Sequence, residues 1–584
     1  MFAKKRMWVV LSVVMVLAML LPACATPTPE VVEKVVTQII KETVKETVIV
    51  EGTPQVVEKV VTKEVEKVVK ETVVVEKEVE APAESKEFVI GAGFDHTTLD
   101  PGRGFEITGG MIHKATYNTL VTWADDSVSE LIPDLAASWE ISEGGRVFTF
   151  KLREGVKFHS GNPMTAADVK WSWERAIGLK GNPSFLFEEV VSIESPDDYT
   201  LVVTKENPDP AFLAKSTFGV FSVLDSKTVM EQGGTSGPDA DQTDQAEDWL
   251  NQHSAGTGPF VLKSWVAETE VVLEKFEDYW RGPAFFDRVI YRHIPDAATQ
   301  KLTLEAGDID VATEIKGDQL VALEANPEVK VIEGGGTDMF FLLCNSNPDL
   351  TDGIMSDEKV RLAIRYAIDY EGIRYLVGGS VITPATIVPY GFLGAWGDDR
   401  AFERDLDKAK ELLAEAGYPD GFDIDMEYPT KFARSGVDFD IIAEKVQADL
   451  AEAGINVTLK PGELMTVLAN YRAGEEGFSF WMWGADYYDV SDYLEFLPEG
   501  IVGLRAQWTD ERADQEIKDL RDAAAVEMDD DARVEIWDDI QAYLQQKGPF
   551  VPLVQPGMAV AIRQYVKGYV FNESWKVDPY LCAK

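Results

Sequence analysis

Apolar and polar residues alternate along several short stretches of the chain, and this period-two pattern predicts β-strands. Residues 146–152 alternate in this way directly after Gly144 and Gly145, so we expect a hairpin there. Further strands of the same kind are expected at residues 88–91, 199–204, 260–265, 271–275 and 289–294.

Other stretches repeat their apolar residues every three or four positions, which predicts helices. Thr165 is placed to cap one such helix, with Asp168 at the third helical position. Residues 357–370 are amphipathic, and we expect Arg361 and Arg365 on the face turned away from the core. Further helices are expected over residues 296–304, 406–416, 439–453 and 532–546. The elements expected over residues 133–255 predict a small α+β lobe of its own.

The first residues predict a location outside the cytoplasm. A short cationic start at residues 4–6 is followed by the apolar residues 7–21 and by small residues. This order is typical of a secretory signal peptide, predicted here as residues 1–23. Residues 21–24 resemble a bacterial lipobox, which implies that Cys24 carries diacylglycerol and anchors the protein to the cell membrane, at the cell surface or in the periplasm. The alternative is an uncleaved anchor helix.

Residues 24–85 predict a tether. The segment is nearly all Val, Glu, Lys and Thr, and the sequence of residues 31–37 recurs at residues 56–62. Such a low-complexity strip cannot build a core of its own. We expect a flexible or partly helical spacer. The 4-3 spacing of valines after Val61 leaves a weak oligomerising helix as the alternative.

Size and charge restrict the remaining choices. About 500 residues follow the tether, which is too many for one core and predicts two or three lobes. The net charge of −46 argues against nucleic acid and anionic lipid as partners. Cys344 and Cys582 are expected to stay unpaired. The five histidines are scattered singly, and no catalytic or nucleotide-binding motif is present, so we expect no cofactor, no metal and no enzyme.

A succession of motifs identifies a family. Residues 133–140 read PDLAASWE, residues 148–161 read FTFKLREGVKFHSG, and residues 256–260 read GTGPF. In this order they resemble the family 5 extracytoplasmic solute-binding proteins of ABC importers, which include oligopeptide- and dipeptide-binding proteins. The resemblance extends from Phe88 to the C-terminus.

The resemblance implies an α/β fold of the mixed α+β kind: a two-lobed, periplasmic-binding-protein-like fold of type II with an extra inserted subdomain. Two strands would connect the lobes, and the ligand would lie in the cleft between them. The expected parts are a first lobe at 86–130 and 256–345, an inserted subdomain at 131–255, a second lobe at 346–547, and a return to the first lobe at 548–584.

Residues 480–489, FWMWGADYYD, are the main candidate for contact with a ligand. They resemble the Trp-x-Ala-Asp-Tyr segment of oligopeptide-binding proteins. The resemblance implies that Asp486 binds the ligand's α-ammonium group while Trp483 and Gly484 flank the peptide backbone, and it makes Tyr487 a further candidate. The alternative is structural, with Asp486 capping a turn and the aromatic residues in a core.

Other candidates come from regions that the resemblance places at the cleft. Phe105, Glu106 and Thr108 would lie at its mouth, and Phe185 of the inserted subdomain could cover the ligand. Arg434 follows a segment where a dipeptide-binding relative would hold the ligand carboxylate, although a solvated loop is the favoured interpretation there.

The sequence therefore predicts a lipid-anchored receptor that captures a di- or oligopeptide and delivers it to an ABC transporter permease. An oligosaccharide is the alternative ligand. A surface sensor or adhesin that reuses the fold is an alternative role, and a secreted hydrolase would need a nucleophile and base that the sequence does not show. The soluble part is expected to be monomeric.

Overall fold

The computed structural model describes residues 31–46, 59–74, 86–94 and 96–584. Contacts divide the chain into two units, Met1–Glu84 and Ser85–Lys584. Cys24 and the predicted signal peptide lie outside the described residues. Among the residues that are described, no helix is both long and apolar enough to cross a membrane.

In the smaller unit, the two copies of the duplicated segment pair with each other. Val31–Glu46 and Lys59–Val74 are antiparallel strands, with Val31 opposite Val74 and Glu46 opposite Lys59. The helical interpretations of the tether are therefore wrong for these residues. The physical reason is the high content of Val and Thr, whose β-branched side chains favour an extended backbone over a helix.

The larger unit contains a seven-stranded sheet, here called the first-lobe sheet. In spatial order its strands are Phe260–Val266, Glu270–Lys275, Arg288–His293, Glu87–Ala92, Val311–Ala312, Met558–Arg563 and Val329–Gly334. Phe88 and Ile90 point to the face that packs on helix Ile107–Thr116. Val89 points to the opposite face, where helices Ala297–Ala306 and Gly317–Glu324 pack. Because successive side chains point to opposite faces, the apolar residues of this strand occupy both faces of the sheet, and helices cover both.

A second sheet, here called the second-lobe sheet, has six strands in the order Val381–Ile382, Phe550–Pro556, Met339–Cys344, Phe478–Trp483, Phe422–Pro429 and Ile455–Gly462. Its strand Met339–Cys344 is apolar throughout and fully buried, as expected for a strand covered on both faces. The helices on one face are Glu358–Ala367, Tyr370–Val377, Leu406–Glu415 and Phe439–Ala453; those on the other are Leu464–Ala473, Ile501–Arg505, Gln515–Val526 and Asp530–Lys547.

The inserted subdomain has a sheet of its own. Its strand order is Ala136–Ser142, Val147–Leu152, Thr200–Lys205 and Val190–Asp197. Helix Ala166–Leu179 packs on it through Val169, Trp173 and Ala176. The predicted cap is confirmed, because Asp168 accepts hydrogen bonds from the backbone N–H and the hydroxyl of Thr165.

Shorter elements complete the larger unit. They are the paired strands Val121–Trp123 with Leu131–Pro133 and Ala433–Arg434 with Val437–Asp438; the short helices Phe212–Lys215, Ser226–Glu231, Ala240–Thr243 and Glu247–Leu250; and the 3-10 turns Asn182–Phe187, Gly219–Phe221, Pro348–Leu350, Asp398–Arg400 and Val490–Phe496.

The chain crosses between the two large sheets twice. The first crossing is residues 335–338, and the second is Gly557. The predicted boundaries after residues 345 and 547 assign Met339–Cys344 and Phe550–Pro556 to the first lobe. Both strands belong instead to the second-lobe sheet, because they pair with each other and Met339–Cys344 also pairs with Phe478–Trp483.

The expected exposure of Arg361 and Arg365 is wrong. Both are buried, and Arg365 has no exposed surface. Nη2 of Arg365 donates to the backbone carbonyl oxygens of Leu544 (3.2 Å), Gly548 (2.7 Å) and Phe550 (2.9 Å). These carbonyls lie where the helix Asp530–Lys547 ends and the strand Phe550–Pro556 begins, far away in the sequence, so a tertiary contact overrides the amphipathic pattern.

Candidate ligand-binding site

A cavity of about 970 Å³ lies between the two lobes. The first lobe contributes residues 104–108 and 313–317, and the second lobe contributes residues 432–436 and 481–486. Both crossings also reach it, through residues 337–338 and 556–559. This volume suits a ligand of several residues or a small cofactor.

The structure brings most of the predicted site residues together at this cavity. The predicted residues that line it are Phe105, Glu106, Thr108, Arg434, Trp483, Gly484 and Asp486. They come from distant parts of the sequence and from both lobes, as the expected cleft requires.

Two predicted residues do not line the cavity. Tyr487 is buried in the core of the inserted subdomain, and Nζ of Lys215 lies 5.0 Å from its ring centroid. Phe185 packs edge-on against Phe105, with ring centroids 5.5 Å apart. The chain turns after its strand ends at Trp483, so Tyr488 faces the cavity in place of Tyr487.

Asp486 lies just beyond the end of the strand Phe478–Trp483. Its backbone N–H donates to Oδ2 of Asp492 at 3.0 Å, and within the described part of the chain its own carboxylate has no hydrogen-bond or ion-pair partner. Burial, helped by the nearby charge of Glu495 and opposed by Arg505, raises the pKa of Asp486 to about 6. A cation placed beside this carboxylate would relieve the cost of its desolvation.

Arg434 is exposed, as the favoured interpretation expects, but it belongs to a short hairpin at the cavity and its guanidinium is paired. Its Nε lies 2.9 Å from Oδ2 of Asp338, and its Nη2 lies 3.2 Å from Oδ1. Arg434 and Val437 face each other across a two-residue turn, Ser435-Gly436, in which both residues have positive φ. The hydroxyl of Ser435 also donates to Asp338. The turn therefore fixes the guanidinium at the cavity wall.

Gly484 provides the space for this ion pair. A Cβ at position 484 would lie 2.5 Å from Oδ1 of Asp338 and 3.4 Å from Nη2 of Arg434. Contacts below about 3 Å are not tolerated in a packed wall. The glycine in the predicted segment is thus explained by a neighbour on the first crossing.

The loop that carries Phe105 and Glu106 is held in place by the inserted subdomain. Arg175, on helix Ala166–Leu179, donates to both oxygens of Asp100 (2.8 and 2.6 Å) and to both oxygens of Asp244 (2.8 and 2.9 Å). Asp100 in turn accepts the N–H of Gly102 at 3.0 Å. Burial alone would lower the pKa of Arg175, but the two carboxylates outweigh it and raise that pKa.

Sequence reasoning missed many of the residues at the cavity, among them Asp338, Tyr488, Arg505 and Glu573. The guanidinium of Arg505 lies 5.2 Å from the Trp483 ring centroid. Only Tyr488 carried a signal in the sequence, since it belongs to the predicted segment. The other three reach the cavity through tertiary contacts that no local pattern shows.

Two other expectations concern metal and cysteine chemistry. Within the described residues, no three His, Cys, Asp or Glu side chains are grouped so as to hold a metal ion. Cys344 is buried in the second-lobe core and Cys582 in the first-lobe core, and both are free thiols. Burial raises the pKa of Cys344 to about 11 and that of Cys582 to about 12.

Two lobes joined by two crossings around a deep cavity define a binding protein of the periplasmic type. The model of the family described as bacterial extracellular solute-binding proteins, family 5 Middle, matches residues 130–500. The chain therefore belongs to the bacterial extracellular solute-binding proteins of family 5. It is a substrate-binding protein and not an enzyme.

Relatives share this architecture but differ in ligand. The chain is 28% identical over 496 residues to the protein named probable D,D-dipeptide-binding periplasmic protein DdpA of Escherichia coli K12, covering 83% of this chain and 91% of that protein. It is 27% identical over 477 residues to heme-binding protein A of Haemophilus influenzae, covering 78% and 84%. The structure of the periplasmic binding protein DppA from Helicobacter pylori with the peptide STSA matches with a TM-score of 0.67 and 27% identity, covering 85% of this chain and 98% of that one.

Proposed function

We propose that the protein captures a di- or oligopeptide in the cavity between its lobes and delivers it to the permease of an ABC importer. The observation that carries this proposal is the carboxylate of Asp486, which faces the cavity without a partner among the described residues. A peptide's α-ammonium group would supply the missing counter-charge through a charge-assisted hydrogen bond. Trp483 and Gly484, three and two positions before Asp486, would then lie along the peptide backbone.

Two comparisons support a peptide as the ligand. The Escherichia coli relative is named for a dipeptide, and the Helicobacter pylori structure contains a peptide. The name of the Haemophilus influenzae relative shows that a protein of similar sequence can bind heme. The choice of a peptide for this chain therefore rests on Asp486.

The proposal includes attachment to the cell membrane through Cys24. Its support is the signal-peptide and lipobox pattern of residues 1–24 and the low-complexity composition of residues 24–85, which fits a spacer between anchor and lobes. Replacing Cys24 with Ser should release the protein from the membrane fraction. Retention of the Cys24→Ser variant in membranes would contradict the lipid anchor.

The test of ligand class is thermal-shift screening of the purified full-length chain against pooled di- to pentapeptides and β-linked oligosaccharides. A ligand that binds only the folded state raises the melting temperature by mass action. We expect a peptide hit that Asp486→Asn removes. Asp248→Asn, which changes an exposed aspartate outside the cavity, is the matched control and should keep the hit.

Two results would overturn the proposal. A sugar hit that Asp486→Asn leaves unchanged would assign the cavity to another ligand class. A peptide hit of equal size in wild type and Asp486→Asn would remove Asp486 from the site.

A further inference from the structure

A second carboxylate, that of Glu573, also reaches the cavity. Glu573 belongs to the C-terminal tail, which follows the last strand, Met558–Arg563, and packs back on the first lobe. Its neighbour Asn572 is buried and donates to the carbonyl oxygens of Ala124 (3.1 Å) and Ser127 (2.8 Å). The backbone that carries Glu573 is therefore fixed to the first lobe.

A run of three glycines, residues 334–336, lies where the first crossing begins, and Gly335 makes room for the Glu573 side chain. A Cβ at Gly335 would lie 1.9 Å from Oε1 of Glu573. The carboxylate thus rests on bare backbone at the point where the chain passes from one lobe to the other. This contact explains why the sequence places a glycine there, which a simple loop between strands does not require.

The Glu573 carboxylate has no hydrogen-bond or ion-pair partner in the part of the chain that the structure describes. Three cations that line the same cavity are engaged elsewhere: Lys576 with Glu314 at 3.5 Å, Arg434 with Asp338, and Lys114 over the ring of Trp575. Burial accordingly raises the pKa of Glu573 to about 7. A partly buried carboxylate without a counter-charge is costly in a folded protein.

Glu573 and Asp486 approach the cavity from opposite lobes and are linked by Tyr488. The Tyr488 hydroxyl donates to the backbone carbonyl oxygen of Glu573 at 3.1 Å, and Tyr488 follows Asp486 by two positions. Neither carboxylate perturbs the pKa of the other, so the two are separate charges, and a ligand with a single ammonium group can neutralise only one of them. A ligand with a second cationic group can neutralise both.

We propose that Glu573 is a second cation-binding residue, which selects peptides that carry a lysine or arginine side chain in addition to the α-ammonium group. This inference rests on the proposed function, since it assumes that a peptide occupies the cavity. It assigns the α-ammonium group to Asp486 in the second lobe and the basic side chain to Glu573 in the first. Such a ligand would bridge the lobes and favour the closed form.

The test compares alanine tripeptides that contain one lysine, at the first, second or third position, with the same peptides containing Nε-acetyl-lysine. Acetylation removes the side-chain charge but keeps its length. We expect the full-length wild type to bind at least one lysine peptide about tenfold more tightly than its acetylated counterpart, as measured by calorimetry. Glu573→Gln should abolish this preference while binding the acetylated peptide within about threefold of wild type.

Glu231→Gln, on an exposed helix outside the cavity, is the matched control and should keep the preference. A wild type without any lysine preference, or a Glu573→Gln variant that retains it, would overturn the inference and leave the proposed function intact. Failure of the wild type to bind any tripeptide, acetylated or not, in an assay where the pooled peptides also give no thermal shift, would overturn both. Glu573→Gln should remain folded, because it removes an uncompensated charge, and its melting curve checks this.

Discussion

Nε of Arg434 lies 2.9 Å from Oδ2 of Asp338, and this ion pair joins the second lobe to the first crossing between the lobes. Asp338 is buried, whereas the Arg434 side chain is 43% exposed to the cavity and solvent. The pair therefore keeps the Arg434 guanidinium at the cavity wall, while Asp338 is held in the first crossing. Movement of one lobe relative to the other would therefore change the backbone of the crossing that carries Asp338.

Gly484→Ala is expected to weaken ligand binding because the new Cβ would lie 2.5 Å from Oδ1 of Asp338 and displace the ion pair. The effect should be a loss of about tenfold in peptide affinity, since the neighbouring Trp483 and Asp486 would shift with it. Calorimetric titration measures it. Gly110→Ala is the control, because Gly110 also lines the cavity but its Cβ would meet open space. Equal affinities of the two variants would contradict the packing argument.

Peptide affinity is expected to fall as the pH is lowered from about 7.5 to 5. The pKa of Asp486 is about 6, above its ordinary value, so the carboxylate is ionised above that pH and protonated below it. Only the ionised form attracts an ammonium group, so the linkage relation gives a loss of peptide affinity of about tenfold by pH 5. Titrations at several pH values measure the slope. At peptide concentrations high enough to detect the weaker binding of Asp486→Asn, this variant should show a flatter profile; an unchanged slope in the variant would exclude Asp486 as its source.

Arg175→Met is expected to destabilise the protein by about 3 kcal/mol, because it removes the buried cation that bonds to both Asp100 and Asp244 and leaves them only the longer, 3.5 Å contacts to Arg103. The stability of Arg175→Lys should lie between those of Arg175→Met and wild type, because one ammonium group cannot form two-point contacts with both carboxylates. Denaturant unfolding measures the change. Arg146→Met, which removes an exposed ion pair, should change stability by less than about 1 kcal/mol. A similarly small loss of stability in Arg175→Met would show that the contacts of Arg175 with Asp100 and Asp244 contribute little to the free energy of unfolding.

His113 is expected to destabilise the folded state in acid. Burial lowers its pKa to about 4, although the Leu99 carbonyl, 3.1 Å from Nε2, partly opposes this effect. The imidazole of His113 is neutral in the folded protein. The unfolded chain binds the proton more tightly, so protonation favours unfolding, and stability is lost as the pH falls from 6.5 towards 4. Buried carboxyl groups with raised pKa act in the opposite direction, so the comparison must be with His113→Gln. The stability of the wild type relative to this variant should fall by about 1–3 kcal/mol over that range. A difference that does not depend on pH would contradict the assignment.

The sequence by itself determined the elements and the family. Alternating apolar residues located the strand Val147–Leu152, and the Thr165 and Asp168 pair located the start of a helix, because both patterns depend on neighbours within a few positions. The segment from Trp483 to Asp486 was placed at the cleft correctly through its resemblance to known proteins.

Only the tertiary structure decided which side chains meet. Arg365 was expected at the surface, but it binds carbonyls at residues 544–550. Tyr487 entered a core while Tyr488 faced the cavity, and Glu573 reached the cavity from the far end of the chain. A local pattern fixes which face of an element is apolar, but it carries no information about the element that will pack there. The cations that pair with Asp100 and Asp338, and the carbonyl oxygens that bind Arg365, come from distant residues, so these roles appear only when the chain is folded.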